Sequence, residues 1–248
     1  MELNDKIALI TGSARGIGRA IAYRFAEEGA FTVITDIDME GASTVLEQIK
    51  KRGADGISIK VDVTDEKQVK KLFSTVMEKY HTLDILVNNA GACKNIPILE
   101  ITPDEWDTYV NINLRSVFLC SREAFRIMKE KGYGKIINMG SMAAKIGGII
   151  AGAHYSAAKA GVLCFTKSLA LQSAAYNINV NAIAPGPVST KMTEEWGEEI
   201  NRAFMARIPF KRYASPEEVA EVALFLASEK SKYITGEIID INGGMFMD

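Results

Sequence analysis

Tyr155 and Lys159 stand four residues apart in the stretch GAHYSAAKAG, residues 152–161. On a helix that spacing puts both side chains on one face. A phenol ionises near pH 10 when unperturbed, and a neighbouring cation favours the ionised form. Such a pair can therefore pass a proton to or from a substrate oxygen. An ordinary surface helix carries the same pair, and the pair alone does not choose between these readings. Ser141, after the run GKIINM, can hydrogen-bond a substrate oxygen and hold it against the tyrosine. Histidine is not the obvious proton carrier, since the chain has only His81 and His154.

A second cluster lies near the start of the chain. ITGSARGIG (10–18) joins a β-branched run to a helical one and spaces its glycines GxxxGxG, at Gly12, Gly16 and Gly18, with Arg15 and Ile17 between them. Glycines there allow a tight turn, a phosphate close to the backbone and a helix packed on a strand. The helix that follows offers unpaired N–H groups to a pyrophosphate. Asp36 ends the next β-branched run, where a carboxylate can accept hydrogen bonds from an adenosine ribose and repel a 2′-phosphate. The lesser alternative for Asp36 is to cap the helix beginning in TDIDMEGA. Arg15 pulls the other way, because an arginine in the turn can pair with a 2′-phosphate.

These residues need a frame, and the apolar pattern predicts one. Short, nearly continuous apolar runs at 6–11, 31–35, 56–61, 83–88, 134–139, 178–183 and 237–241 read as buried parallel strands. Helical segments fall between them near 16–29, 40–52, 65–80, 103–131, 152–176 and 215–228, with start signals at Asp65, TPDEW (102–106) and Ser215-Pro216. Strands alternating with helices give an α/β fold, a doubly wound parallel sheet of about seven strands, in a single domain over 1–248. The segment 189–213 interrupts the rhythm. It is long for a connection, carries Met192, Trp196, Phe204 and Met205 among many charges, and reads as a lid over a bound substrate.

Bulk properties narrow the classes. A formal net charge of −2 gives no overall positive field for nucleic acid or an anionic membrane. Cys93, Cys120 and Cys164 are widely spaced with no CxxC pair, which argues against a disulfide framework or a metal cluster. MELNDKIALITG lacks the features of a signal peptide, and Lys145 breaks the most apolar stretch, so a soluble, cytoplasmic protein is expected.

TGSARGIG, NNAG (88–91), Asn113 in VNINL, Ser141, YSAAK (155–159) and PGPVST (185–190) occur in an order and spacing that resembles the short-chain dehydrogenase/reductases over essentially the full length. The resemblance implies a Rossmann-type domain, a nicotinamide cofactor and a homotetramer. It implies that Asp62 and Val63 flank the adenine, and that Asn89, Ala90 and Gly91 line the cofactor cleft. Pro185, Gly186 and Val188 would continue that cleft, and Thr190 would bond the nicotinamide carboxamide. Tyr155 is then the acid/base, Lys159 its pKa tuner and a ribose binder, and Ser141 the orienter. Asn113 would fix a water that links Lys159 to solvent. Cys93, Met142, His154, Met192 and Trp196 are candidates for the substrate pocket.

Asp36 leads to the expectation of an NAD(H)-dependent dehydrogenase of a small polar secondary alcohol, with NADP(H) second. The ending NGGMFMD and the length resemble bacterial 3-oxoacyl-carrier-protein reductases, which use NADPH and dock an acidic carrier. The corresponding docking regions here read KEKGYGK (129–135) and QSAAYNI (172–178), the second without a basic residue. That reductase is the alternative. A non-catalytic dinucleotide sensor is a third reading, opposed by the complete Ser-Asn-Tyr-Lys set.

Overall fold

Seven parallel strands run in the order β3-β2-β1-β4-β5-β6-β7. They span β1 Ile7–Thr11, β2 Phe31–Asp36, β3 Gly56–Lys60, β4 Ile85–Asn88, β5 Gly134–Met139, β6 Ile178–Pro185 and β7 Ile238–Ile241. The computed structural model describes every residue except Ile149, Glu195 and Asp248, and not the side chain of Met192. β1, β4 and β5 are buried along their whole length, which is why their sequences are apolar runs rather than alternations.

Helices cover both faces. On one face α1 (Gly16–Glu27), α2 (Met39–Lys51) and α10 (Pro216–Ala227) bury Ile21, Phe25, Val45, Ile49, Val219 and Leu224 against the sheet. On the other, α3 (Glu66–Tyr80), α5 (Ser116–Lys131) and α7 (Ala153–Ser173) bury Leu72, Phe73, Leu119, Met128 and Leu169. Each such side chain contributes roughly 1.5–3 kcal/mol on leaving water. The start signals operate as read: the Asp65 carboxylate accepts from the N–H groups of Lys67 and Gln68, and Thr102 and Ser215 each form a capping box ahead of a proline.

Two departures from the expected elements matter for function. The helix expected over 103–131 is α4 (Pro103–Val110) and α5 joined by a π-helical turn, Asn111–Arg115, in which the N–H of Ser116 donates to the carbonyl of Asn111. One residue is thereby inserted into the helical repeat. After β5 the chain forms a single turn, α6 (Ala143–Ile146), which the sequence pattern does not anticipate. The segment 189–213 holds two further helices, α8 (Lys191–Glu194) and α9 (Glu198–Arg207). Among the described residues no helix is long and apolar enough to cross a membrane.

Candidate active site

The strand order reverses between β1 and β4, and the carboxyl ends of the strands open there into a cleft of about 2000 Å³. The Thr11 hydroxyl ties its two lips together. It donates to the carbonyl of Val87 at 3.3 Å and accepts from the N–H groups of Asn89 and Ala90 at 3.0 Å each. The Asn89 amide reaches back to the carbonyls of Thr11 and Gly12 at 2.9 and 2.8 Å. The chain must pass closely here. Gly12 sits at φ +63°, and a Cβ on it would stand 2.8 Å from Cα of Ala90. Gly18 is different: a Cβ there would meet the carbonyl of Gly12 at 2.4 Å, so it packs the helix against the turn and does not line the cleft.

α1 begins at the same point with Arg15 as its N-cap and no side chain bonded to its first N–H groups, which leaves an anion-binding helix start facing the cleft. The Asp36 carboxylate accepts from the N–H of Ala14 and of Asp38, both at 3.0 Å, which fixes it at the cleft rim beside the glycine turn. The capping alternative for Asp36 falls to its neighbour: Asp38 caps α2 by accepting from Gly41. Arg15, Gly16, Ile17, Asp62, Val63, Asn89, Ala90, Gly91, Pro185, Gly186, Val188 and Thr190 all line this cleft. A close-packed glycine turn, an uncapped helix start and a carboxylate at the strand end form a cradle that fits a dinucleotide.

The chemical end is built by β5, the π turn and α7. Asn113, fully buried at the centre of the turn, donates to the carbonyls of Ala92 and Tyr109 at 2.8 and 3.0 Å and accepts from the N–H of Ala92 at 3.2 Å. The Lys159 ammonium, 4% exposed, donates to the carbonyl of Met139 at 2.7 Å and lies 5.8 Å from the centre of the Tyr155 ring. Burial holds its pKa down at about 8, with the Cys93 thiol acting the other way. Burial pushes the Tyr155 phenol well above its usual 10, the Cys93 thiol adds to this, and a hydrogen bond with Ser141 opposes it. The expected lowering of the tyrosine by Lys159 is therefore not what the protein alone delivers. Desolvation dominates, and the Lys159 ammonium is already bonded to Met139.

Ser141, Asn113, Tyr155 and Lys159 thus converge on one cleft, as the resemblance implies. Cys93, Met142 and Trp196 line it too; Trp196 packs against Phe204 with ring centres 5.5 Å apart and planes tilted by 44°. Burial raises the Cys93 thiol to about 11, and its Sγ approaches the carbonyl of Ala151 at 3.7 Å. His154 does not line the cleft: in the first turn of α7 it is fully buried against Tyr109, because the residue before Tyr155 on a helix points away from it. The Met192 side chain lies outside the described residues. Trp106, on α4, is away from the cleft.

Two features escape the sequence reading. Ile96, Ile98, Ile146 and Ile150 add an apolar wall to the cleft. A buried chain of amides and hydroxyls also locks the site's elements together. The Asn88 amide donates to Ser121 at 2.9 Å and to Asn138 at 2.8 Å, and the Asn138 amide donates to Thr166 at 2.9 Å. β4, α5, β5 and α7 are thereby held in one register. The visible signal is Asn138 itself, an amide in an otherwise apolar strand that must find buried partners.

A family model described as enoyl-(acyl carrier protein) reductase matches residues 12–246. A 3-oxoacyl-[acyl-carrier-protein] reductase FabG of Aquifex aeolicus (strain VF5) is 40% identical over 247 residues, 99% of each chain. The enzyme of that name from Staphylococcus aureus (strain Mu50) is 40% identical over 243 residues, 98% of each chain. Among solved structures, a candidate gluconate dehydrogenase from Agrobacterium tumefaciens superposes with a TM-score of 0.95 at 36% identity, covering 98% of this chain and 97% of that one.

Proposed function

The chain belongs to the short-chain dehydrogenase/reductase family of oxidoreductases acting on CH–OH groups, and from that premise we propose that it reduces a 3-oxoacyl thioester to the 3-hydroxyacyl thioester. This replaces the expected preference for a small polar alcohol. The observation that carries it is the composition of the cleft wall. Ile96, Ile98, Met142, Ile146, Ile150 and Trp196 share the cleft with Ser141 and Tyr155. An acyl chain loses water there at a gain. The hydroxyls of a sugar or polyol against the same wall would lose their hydrogen bonds to water, at a cost of about 1–3 kcal/mol each. The curated relatives reported above carry the matching name.

Bound nicotinamide supplies the hydride for such a reduction. The rest is the work of this chain. The Ser141 hydroxyl hydrogen-bonds the ketone oxygen and holds it against Tyr155. Tyr155, which burial keeps protonated at neutral pH, gives its phenolic proton to that oxygen as it becomes an alkoxide. Lys159, with Nζ on Met139, has N–H donors to spare for a ribose and for returning a proton to the phenolate. The Asn113 amide is taken up by Ala92 and Tyr109, so its side chain holds the loop after β4 to the π turn instead of holding a relay water.

On the cofactor, the carboxylate of Asp36 at the cleft rim supports NADH, because a 2′-phosphate beside it brings like charges together. The test is a steady-state assay of one 3-oxoacyl thioester against a panel of sugars, polyols and hydroxy acids, each with both cofactors. We expect kcat/KM for the thioester to lead by about a hundredfold, and NADH to lead NADPH by about tenfold, near 1.4 kcal/mol. A polyol or hydroxy acid turned over faster than the thioester restores the polar-alcohol reading.

A further inference from the structure

We propose that His154 is a positioning residue for the reaction: its neutral imidazole holds the main-chain N–H of Tyr155 and so fixes where the phenol stands. The first N–H groups of a helix have no partner within it, and an N-cap side chain usually bonds the third residue's N–H. In α7 the N-cap is Gly152, which has no side chain to offer, and the third residue is Tyr155. The second residue takes over that duty: Nδ1 of His154 accepts from the N–H of Tyr155 at 2.8 Å. An accepting Nδ1 puts the ring's proton on Nε2, and Nε2 is buried without a partner among the described residues.

The ring is also held from α4. It lies 4.1 Å, centre to centre, from the ring of Tyr109, whose main-chain carbonyl accepts the Asn113 amide at 3.0 Å. One imidazole therefore sits between the residue that anchors the π turn and the residue that carries the phenol. The charged groups acting on it are Glu105 on α4 and Lys94 in the loop after β4. These two are an ion pair with each other at 3.8 Å, so neither gives the ring a dedicated counter-ion. Burial holds the imidazole below its usual 6.5. Protonation would turn Nδ1 into a donor facing another donor, break the bond and loosen the first turn of α7. Acid should thus reduce turnover through His154, which does not line the cleft.

The inference rests on Tyr155 being the acid, so the experiment keeps the two failures apart. His154→Asn retains a short acceptor near the position of Nδ1 but cannot titrate, and His154→Leu removes the acceptor. With a 3-oxoacyl thioester and NADH, the parent should lose kcat by up to tenfold per pH unit below the imidazole's pKa, with KM for NADH unchanged. His154→Asn should keep kcat within about threefold at pH 7 and lose the acid limb, whereas His154→Leu should lose about tenfold at pH 7. An acid limb that persists in His154→Asn overturns the proposal. Imidazole nitrogen NMR of a His81→Gln variant reports on the same ring without turnover, and keeps the test alive if His154→Leu does not fold. A proton on Nε2 and resistance to protonation at pH 6 are expected; a ring protonated on Nδ1, or titrating at 6.5, overturns it. If Tyr155→Phe turns over normally, the proposed function falls and this role with it; if Tyr155→Phe is inactive, the His154 result stands by itself.

Discussion

Lys159 is the residue on which stability and reactivity oppose each other most directly. A lysine amine ionises near 10.5 in an unfolded chain and near 8 here, so between those values the unfolded state binds the extra proton. Folding is therefore penalised in full below pH 8, and the penalty fades as the pH rises to 10.5. The shift corresponds to ~3 kcal/mol, and losing the bond to Met139 would cost about 1 kcal/mol. Lys159→Met should accordingly stabilise the protein by about 2 kcal/mol at pH 7, several degrees in melting temperature, while lowering turnover at least a hundredfold. Thermal unfolding at pH 7 and pH 10 checks the sign: the advantage should shrink at the higher pH. A variant less stable than the parent at both would show that the amine's hydrogen bonding outweighs its desolvation. The pairing of Tyr155 with Lys159 was legible from a four-residue spacing. The direction of the tyrosine's shift was not, because spacing conveys charge but not the depth of burial.

Strands and helices were the most legible level, since buried parallel strands and capped helices leave strong local patterns. The π turn was not. Asn111–Arg115 continues the amphipathic pattern of the helices on either side, and one residue of slippage leaves no mark in a periodicity of 3.6. The apolar wall of the cleft was hidden for a different reason, since Ile96 and Ile98 lie far in sequence from Ile146 and Ile150. The lid reading of 189–213 has an element-scale test. No residue of α9 is buried, whereas Ile208 just beyond it is 1% exposed, and the Tyr213 hydroxyl bonds the Asn201 side chain at 2.8 Å. A helix held at its far end and along one side has little to resist opening. Hydrogen exchange over 189–213 should be fast in the protein alone and slow several-fold with NADH and a substrate analogue. In a Trp106→Phe variant, the emission of Trp196 should shift with it. Exchange that is already slow and indifferent to ligand would make the segment fixed structure.

For the molecule as a whole, the homotetramer implied by the resemblance finds candidate surfaces on α5 and α10. Phe118 and Phe225 stand open to solvent there, and Phe118 meets the Phe165 ring of α7 edge-on at 6.4 Å. Sedimentation should give about four times the mass of one chain, and Phe118→Glu should dissociate the assembly if α5 lies in an interface; a parent that sediments as a monomer removes the expectation. A last consequence concerns time rather than shape. Ile21 and Phe25 of α1 share one apolar cluster with Val219, Ala223 and Leu224 of α10, so the helix presenting the glycine turn finishes its burial against a helix made much later. During synthesis α1 must wait for some two hundred further residues, with its apolar face uncovered for roughly 10–40 s at 5–20 residues per second. The glycine turn is made long before the helix that completes its packing, and over that interval the nascent protein depends on whatever shields the early helix.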